Sequence, residues 1–170
     1  MTPVRIRSVT GCGPRFMLTT PEYTSNMSRG KAEPGRWAVV TVEFDTQPEW
    51  VDEIVFQYNV VTHNRRNQKE PYTLLKGSVA YIDVPKERRN ISTIYLRPST
   101  VKRYGEVVGI SVEILIKGEV VDSKAEAVDP NLRGEWWKTP RLIPRDGYLV
   151  NKSETPFAFI NFDDEATIKK

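Results

Sequence analysis

The sequence predicts an all-β protein folded as an antiparallel Greek-key sandwich. Two observations support this. Short runs of apolar and β-branched residues recur along the chain, separated by Pro, Gly, Asn and Asp. About seven such runs fall within roughly the first 125 residues, and no segment has the spacing of an amphipathic helix, which disfavours alternating β/α units. An OB-type barrel is the alternative, but it needs only about five strands.

The first five strands are predicted from alternation and β-branched content. In the second of them, Val40, Val42 and Phe44 share one face, and in the third Ile54, Phe56, Tyr58 and Val60 do so. The predicted runs are 4–7, 37–44, 54–60, 72–84 and 91–97. Because Gly77 interrupts the fourth run, we expect two strands there, joined by a bulge or by a switch between sheets.

The remaining elements of the sandwich follow from turn residues. The segment 99–104 predicts a single helical turn that ends at Gly105. The runs 107–117 and 119–125 flank Gly118, which suits a tight turn with positive φ and therefore predicts a hairpin.

Two segments exceed a minimal sandwich. The connection from Thr10 to Arg36 is long and rich in Pro and Gly, which is typical of a functional or mobile loop. Residues 129–170 contain Pro130, Pro140, Pro144 and Pro156 together with many large apolar side chains, which a disordered tail would lack. We therefore divide the chain into a sandwich domain, 1–128, and a C-terminal extension, 129–170, packed on the domain or on a partner.

Within that extension, Phe157, Phe159 and Phe162 lie in an uncharged stretch that reads as a strand. A bare edge strand of this kind would promote aggregation, so it must be covered. Either it folds back onto its own sandwich or it pairs with a neighbouring subunit in a homo-oligomer. We favour folding back, because that needs no partner.

The composition leaves little room for catalysis or metal binding. The chain has one Cys and one His, so it can form neither an intrachain disulfide nor a zinc site of thiolates and imidazoles. Cys12 and His63 could form a thiol–imidazole pair, but nothing marks a third residue that would orient it, so we favour a packed thiol and a solvated imidazole. No nucleotide-binding or hydrolase motif occurs. We therefore expect no enzyme activity, no catalytic residues and no cofactor.

The surroundings of one acidic run and of the single cysteine can also be predicted. The acidic run Asp163–Asp164–Glu165 lacks the spacing of a cation loop, so we expect it to be solvated. Cys12 lies between two glycines, so Cys12→Ser should cost about 0.5 kcal/mol or less if the site is exposed.

Charge and hydropathy limit the partners. The net charge of +3 is too small to indicate a nucleic-acid reader. No run approaches the ~18 apolar residues of a membrane span, so we expect no membrane insertion. The start of the chain shows no signal peptide; the protein is therefore cytosolic, or a signal peptide was removed.

Basic residues are predicted to gather at one end of the sandwich. In an antiparallel fold, the turn at 62–71 and the connection at 98–106 lie at the same end. That end would carry Arg65, Arg66, Lys69, Lys102 and Arg103, with Arg97 beside them. We expect it to bind an acidic protein partner or an anionic glycan.

Four aromatic residues are further candidates for binding. Adjacent indoles such as Trp136 and Trp137 can form a platform for sugar stacking or an anchor in a protein interface, and both uses require an exposed ring. The alternative is that one indole caps the open end of the sandwich while the other covers a strand. Phe157 and Phe159 are the corresponding candidates in the last predicted strand.

The order of these strand patterns resembles a known family. The stretches carrying the likeness are 37–44, 53–61, 76–85, 95–98 and 112–115. Together they resemble the immunoglobulin-like proteins encoded beside type IV pilus genes in gut Verrucomicrobia, over about 37–125 and the unusual tail. The resemblance implies an exported, non-enzymatic immunoglobulin-like β-sandwich associated with pilus assembly or the cell surface, located in the periplasm or outside the cell. It implies no particular binding residue.

The sequence thus favours a non-enzymatic binding or assembly module that contacts a protein partner, which the resemblance extends to pilus-assembly components. The alternative is a carbohydrate-binding module that uses Trp136 or Trp137.

Overall fold

The computed structural model describes residues 3–19, 35–138, 142–160 and 165–169. In this part of the chain the fold is an all-β sandwich. Its elements are β1 (Val4–Thr10), β2 (Met17–Thr19), β3 (Arg36–Thr46), β4 (Trp50–His63), β5 (Tyr72–Pro85), β6 (Asn90–Leu96), α1 (Pro98–Tyr104), β7 (Glu106–Ile116), β8 (Glu119–Ala127), β9 (Pro144–Asp146), β10 (Leu149–Val150) and β11 (Thr167–Ile168).

Two sheets form the layers of the sandwich. The first has the order β1-β3-β6-β10, with β2 also paired to β3, and the second has the order β11-β5-β4-β7-β8, with β9 also paired to β5. All strand pairs are antiparallel except β5 with β9. This is an immunoglobulin-like order in which the strand after β4 stays in the sheet of β4.

The core lies between the sheets because the strands alternate as predicted. Ile54, Phe56, Tyr58 and Val60 are fully buried on the inner face of β4. The Phe56 ring contacts Phe44 of the opposite sheet at a centroid distance of 4.9 Å. Apolar alternation in the sequence therefore defines the faces that meet in the core.

The helical turn and the hairpin are confirmed. α1 ends at Gly105, which has φ 96°. The hairpin between β7 and β8 turns through Lys117 and Gly118, both with positive φ, as a two-residue hairpin loop of this type requires.

The expected division at Gly77 is wrong, because β5 is one continuous strand. What Gly77 provides is space: a Cβ built there would lie 2.8 Å from Cβ of Leu149, in β10. A glycine in mid-strand thus marks the close approach of another segment.

The long connection after β1 is partly regular. Residues 17–19 form β2, which pairs with β3 from Met17↔Ala38 to Thr19↔Arg36. Residues 20–34 of this predicted loop lie outside the described residues.

The C-terminal extension closes one side of the sandwich. β9 and β11 pair with β5 in one sheet, while β10 pairs with β6 in the other. The extension therefore crosses between the two sheets and covers both edges, which would otherwise present unpaired backbone groups. This agrees with folding back onto the same chain.

The predicted strand around Phe157 is wrong in its conformation. Residues 156–160 form turns, and only Phe157 is buried, at 6% exposure against 82% for Phe159. The Phe157 ring stacks on Tyr95 at 5.4 Å and meets Trp37 edge-on at 5.9 Å. Phe162 lies outside the described residues.

A carboxylate near the chain end joins a buried polar network. Glu165 accepts hydrogen bonds from the Tyr81 hydroxyl at 2.6 Å, and from the Thr93 backbone N–H and hydroxyl at 2.9 and 2.8 Å. The Tyr81 and Tyr58 hydroxyls both meet the Ser92 hydroxyl. The expectation that 163–165 is a solvated acidic run is therefore wrong for Glu165; Asp163 and Asp164 lie outside the described residues.

The opposite side of the sandwich, between β1 and β8, is closed by charged groups. The Ile6 backbone N–H donates to the Asp122 carboxylate at 2.7 Å, and Lys124 donates to the carbonyl of Arg7 at 3.2 Å. Charged side chains on an edge strand in this way oppose pairing with another chain.

Cys12 is buried rather than exposed, since only 8% of it is accessible. Burial raises the pKa of its thiol to about 12, with Glu126 adding to the rise. The small loss of stability expected for Cys12→Ser assumed an exposed thiol, and this assumption is wrong. Because the thiolate is the nucleophile, this environment opposes the activated thiol of the Cys12–His63 hypothesis.

We expect the native Cys12 thiol to resist a disulfide reagent at mildly alkaline pH and to react fully once the protein is denatured. The measurement is the thiol titre against time, with and without denaturant. Rapid stoichiometric labelling of the native protein would contradict the buried position.

Candidate functional site

The basic end of the sandwich is built by two connections that meet. The Asn64 side-chain amide donates to the carbonyl of Arg103 at 2.9 Å. A Cβ on Gly105 would collide with the carbonyl of His63, so a glycine allows this close approach. The prediction that the turn at 62–71 and the connection at 98–106 share one end is confirmed.

We call this end the basic pole, defined by Arg65, Arg66, Lys69, Arg97, Lys102 and Arg103, all of which are exposed. Of the acidic residues nearby, Glu70 is paired with Arg145 at 3.2 Å. The guanidinium groups of Arg103 and Arg145 lie 4.9 and 5.7 Å from the Tyr104 ring centroid. The geometry leaves a surplus of exposed positive charge at one end.

A cleft of about 410 Å³ opens at the basic pole, which we call the polar-rim cleft. Lys69 and Arg133 bring positive charge to it, which exceeds the single negative charge of Glu70 in the same lining. Its apolar and aromatic walls are Tyr72, Leu132, Trp136 and Leu142. Such a combination suits an apolar side chain with negative groups around it.

The Tyr72 wall of the cleft is held by hydrogen bonds. Its hydroxyl donates to the Asp129 carboxylate at 2.7 Å and accepts from the Asn131 amide at 3.1 Å. Burial opposes ionisation of Asp129, but the bonds from Tyr72 and Asn131 outweigh it and lower the pKa of this carboxyl group. The ring of Tyr72 lies 4.6 Å from that of His63, at the end of β4.

The tryptophan pair does not form an exposed platform. Trp136 is only 4% exposed and packs with Val61 and Leu74 on the outer face of the second sheet. Trp137 meets it edge-on at 5.2 Å, is half-buried, and has its indole nitrogen buried without a hydrogen-bond partner. Neither indole is exposed as the sugar-stacking platform of the carbohydrate-binding alternative requires. Trp136 covers strands of the second sheet, as the alternative interpretation expected of one of the two indoles.

Gly109 allows the tryptophan segment to sit close to β7. A Cβ there would lie 2.6 Å from Leu132 and 3.2 Å from the Trp136 ring. The extension thus packs directly against the backbone at Gly109, where no side chain intervenes. Trp136 both covers the sheet and forms a wall of the cleft.

The remaining predicted residues lie apart from the pole. Phe157 is buried against Tyr95 and Trp37, so it is a core residue and not a binding residue. Phe159 is largely exposed and lines a cleft of about 500 Å³ near the opposite end of β4.

Sequence reasoning missed Trp50, the first residue of β4, which is 64% exposed. It lines the cleft with Phe159 and a second one of about 520 Å³ that includes Asp52 and Lys117. The sequence did contain a signal. Counting back in steps of two from the inward-facing Phe56 and Ile54 gives Asp52, which is charged, so the run of apolar inward-facing residues ends before Trp50.

The described residues contain neither a cluster of metal ligands nor a helix that could span a membrane. Across residues 3–19, 35–138, 142–160 and 165–169, no three His, Cys, Asp or Glu side chains gather as metal ligands would. In the same part of the chain, no helix has the length and apolarity that a bilayer crossing needs.

Comparison with known proteins identifies a solved structure with the same fold and a matching family. No curated protein matches the chain. A crystal structure of a protein from Akkermansia muciniphila matches with a TM-score of 0.77 and 24% identity, covering 98% of this chain and 95% of that one. The source organism is a gut Verrucomicrobium, the group to which the strand pattern pointed. A protein-family model also matches residues 13–170, nearly the whole length, and the chain therefore belongs to the family that this model describes.

Proposed function

We propose that the protein is a non-enzymatic binding or assembly module, exported and associated with the pilus or cell surface, that contacts an acidic partner protein through its basic pole. The observation that carries the proposal is the convergence of exposed Arg65, Arg66, Lys69, Lys102 and Arg103 on one end, beside a cleft with aromatic walls.

The chemistry of the pole supports a protein partner. A surface that carries mainly positive charge attracts an acidic partner over a long range and so raises the association rate. An apolar side chain that enters a pocket then provides most of the affinity. The polar-rim cleft supplies such a pocket in contact with Lys69 and Arg133. The family match and the likeness to the Verrucomicrobial protein support the export and pilus parts of the proposal through the resemblance stated above.

The test compares two double charge reversals of equal size. Arg65→Glu with Arg66→Glu alters the basic pole, and Lys86→Glu with Arg88→Glu alters exposed residues in the loop between β5 and β6. Each variant is immobilised and exposed to an envelope extract of Akkermansia muciniphila, the organism of the structurally similar protein. The bound proteins are then identified by mass spectrometry.

We expect a specific acidic protein to be captured by the wild type and by the loop variant, to be lost from the pole variant, and to elute with salt. Equal capture by both variants would contradict the proposal. If the pole variant loses binding to an array of sulfated and sialylated glycans but not to any protein, the partner is an anionic glycan and the protein-partner proposal is wrong.

A further inference from the structure

Trp50 has the geometry of a protruding anchor. Its side chain is 64% exposed although it begins the central strand of the second sheet, and it borders a cleft on each side. Asp52 belongs to one of these clefts and Asp83 to the other, and both are exposed. Carboxylates outnumber lysines in both linings: Asp52 and Glu53 accompany Lys117 in one cleft, and Asp83 and Glu165 accompany Lys152 in the other.

The polar-rim cleft, at the opposite end of the same strand, could accept such an anchor. β4 runs from Trp50 to His63, whose ring contacts Tyr72 in the wall of the polar-rim cleft. At about 3.3 Å per residue the strand is roughly 43 Å long, so the two ends are far apart on the molecule. The cleft has aromatic and leucine walls, with Lys69 and Arg133 on its border.

These two ends complement each other in size and in charge. An indole fits a pocket of this size class, and Lys69 or Arg133 could lie over its face in a cation–π contact. The carboxylates of Asp52 and Asp83 would then face the same two cations. Trp side chains that fill a pocket of the partner are among the residues that dominate the binding energy of protein interfaces.

We propose that the partner is a second copy of this chain, with Trp50 of one copy seated in the polar-rim cleft of the next. The proposal rests on the proposed function, because it names the partner of the basic end: the acidic surface that this end meets is the lining of the two clefts beside Trp50 in a second copy. The two contacting surfaces are different, so the interface is heterologous and each copy keeps one free surface of each kind. Because the two surfaces are at opposite ends, each copy in a dimer still presents a surface to a further copy, and copies add head to tail.

Three variants test this proposal. Trp50→Ala removes the anchor, and Lys69→Glu with Arg133→Glu reverses the charge of the cleft border; these positions are largely exposed, so the fold should be kept. Leu18→Ala is the matched control, since Leu18 is another exposed large apolar side chain, on β2. The average mass is measured by light scattering over a range of concentrations at low and high salt.

For the wild type and Leu18→Ala, we expect the average mass to rise with concentration to about twice the monomer or more, and to fall with salt. Trp50→Ala and the double variant should each stay monomeric. Mixed together, they retain one intact anchor and one intact cleft, so they should form a one-to-one dimer and nothing longer.

A wild type that stays monomeric at every concentration overturns the proposal, as does association that survives in Trp50→Ala or a mixture that forms no dimer. If the wild type is monomeric while the Arg65 and Arg66 pair still governs capture of a foreign protein, the self-association is wrong and the proposed function remains. If capture also fails, both are wrong.

Discussion

Deleting residues 154–170 is expected to lower the free energy of unfolding by on the order of 5 kcal/mol and to reduce the soluble yield. The deletion removes the Phe157 ring from its place between Trp37 and Tyr95. It also removes Glu165 and β11, which cover the edges of β6 and β5. Since small domains are stable by only about 5–15 kcal/mol, this loss is large, and the uncovered edges promote aggregation.

Two single substitutions in the same segment separate packing from chain length. Phe157→Ala should cost about 3–5 kcal/mol because the ring is buried, whereas Phe159→Ala should cost little because the ring is 82% exposed. Both are measured by chemical denaturation. Equal effects at the two positions would mean that Phe157 does not anchor the segment.

The mass of the truncated protein separates the two arrangements considered from the sequence. If the segment docks on its own chain, the soluble fraction keeps the oligomeric state of the full-length protein and its melting midpoint is lowered. A change from oligomer to soluble monomer would instead indicate that the segment is exchanged between copies.

Replacing Glu165 with Ala is expected to cost about 2–4 kcal/mol, because the Tyr81 hydroxyl and the Thr93 N–H lose their acceptor in a buried site. Glu165→Gln is the control: it keeps one acceptor oxygen, and its amide can donate to the Thr93 hydroxyl. The Gln variant should therefore retain most of the stability that the Ala variant loses.

The pH dependence of Glu165 has a definite sign. Burial raises the pKa of its carboxyl group, and the hydrogen bonds from Tyr81 and Thr93 and the charge of Lys152 only partly oppose this. The folded protein thus binds the proton more tightly than the unfolded chain does. This contribution is fully present below the ordinary carboxyl pKa and is lost as the pH rises through the folded-state pKa.

Relative to Glu165→Gln, the wild type should therefore gain stability when the pH falls from neutral towards 4. Parallel denaturant titrations of both proteins across this range measure the difference. If the stability of the wild type relative to Glu165→Gln stays constant over this range, or increases as the pH rises, the raised pKa is wrong.

How much the sequence could predict depends on the range of the interactions. Strands such as β3 and β4 were predictable because alternating burial is a local pattern, which binary patterning largely fixes. The helical turn before Gly105 and the hairpin at Gly118 were predictable because positive φ strongly favours glycine. The shared end of the basic connections followed from counting strand reversals.

Other features could not be read from local patterns. Gly77 resembled a break in a strand, but its role is to admit Leu149, a residue distant in sequence. Trp136 and Phe157 were candidate binding residues by type, yet both are buried by segments that only the folded chain brings together. The identity of an aromatic side chain does not show whether its ring faces solvent.

By itself, therefore, the sequence determined the fold class, the principal strands of the core and the end at which the positive charge gathers, since each depends on residue periodicity or on the order of chain reversals. The tertiary structure alone decided that the extension crosses from one sheet to the other, that Glu165 is buried under Tyr81 and Thr93, and that Trp50 rather than Trp136 is exposed. These depend on contacts between residues far apart in the chain, and their burial and desolvation are properties of the packed molecule.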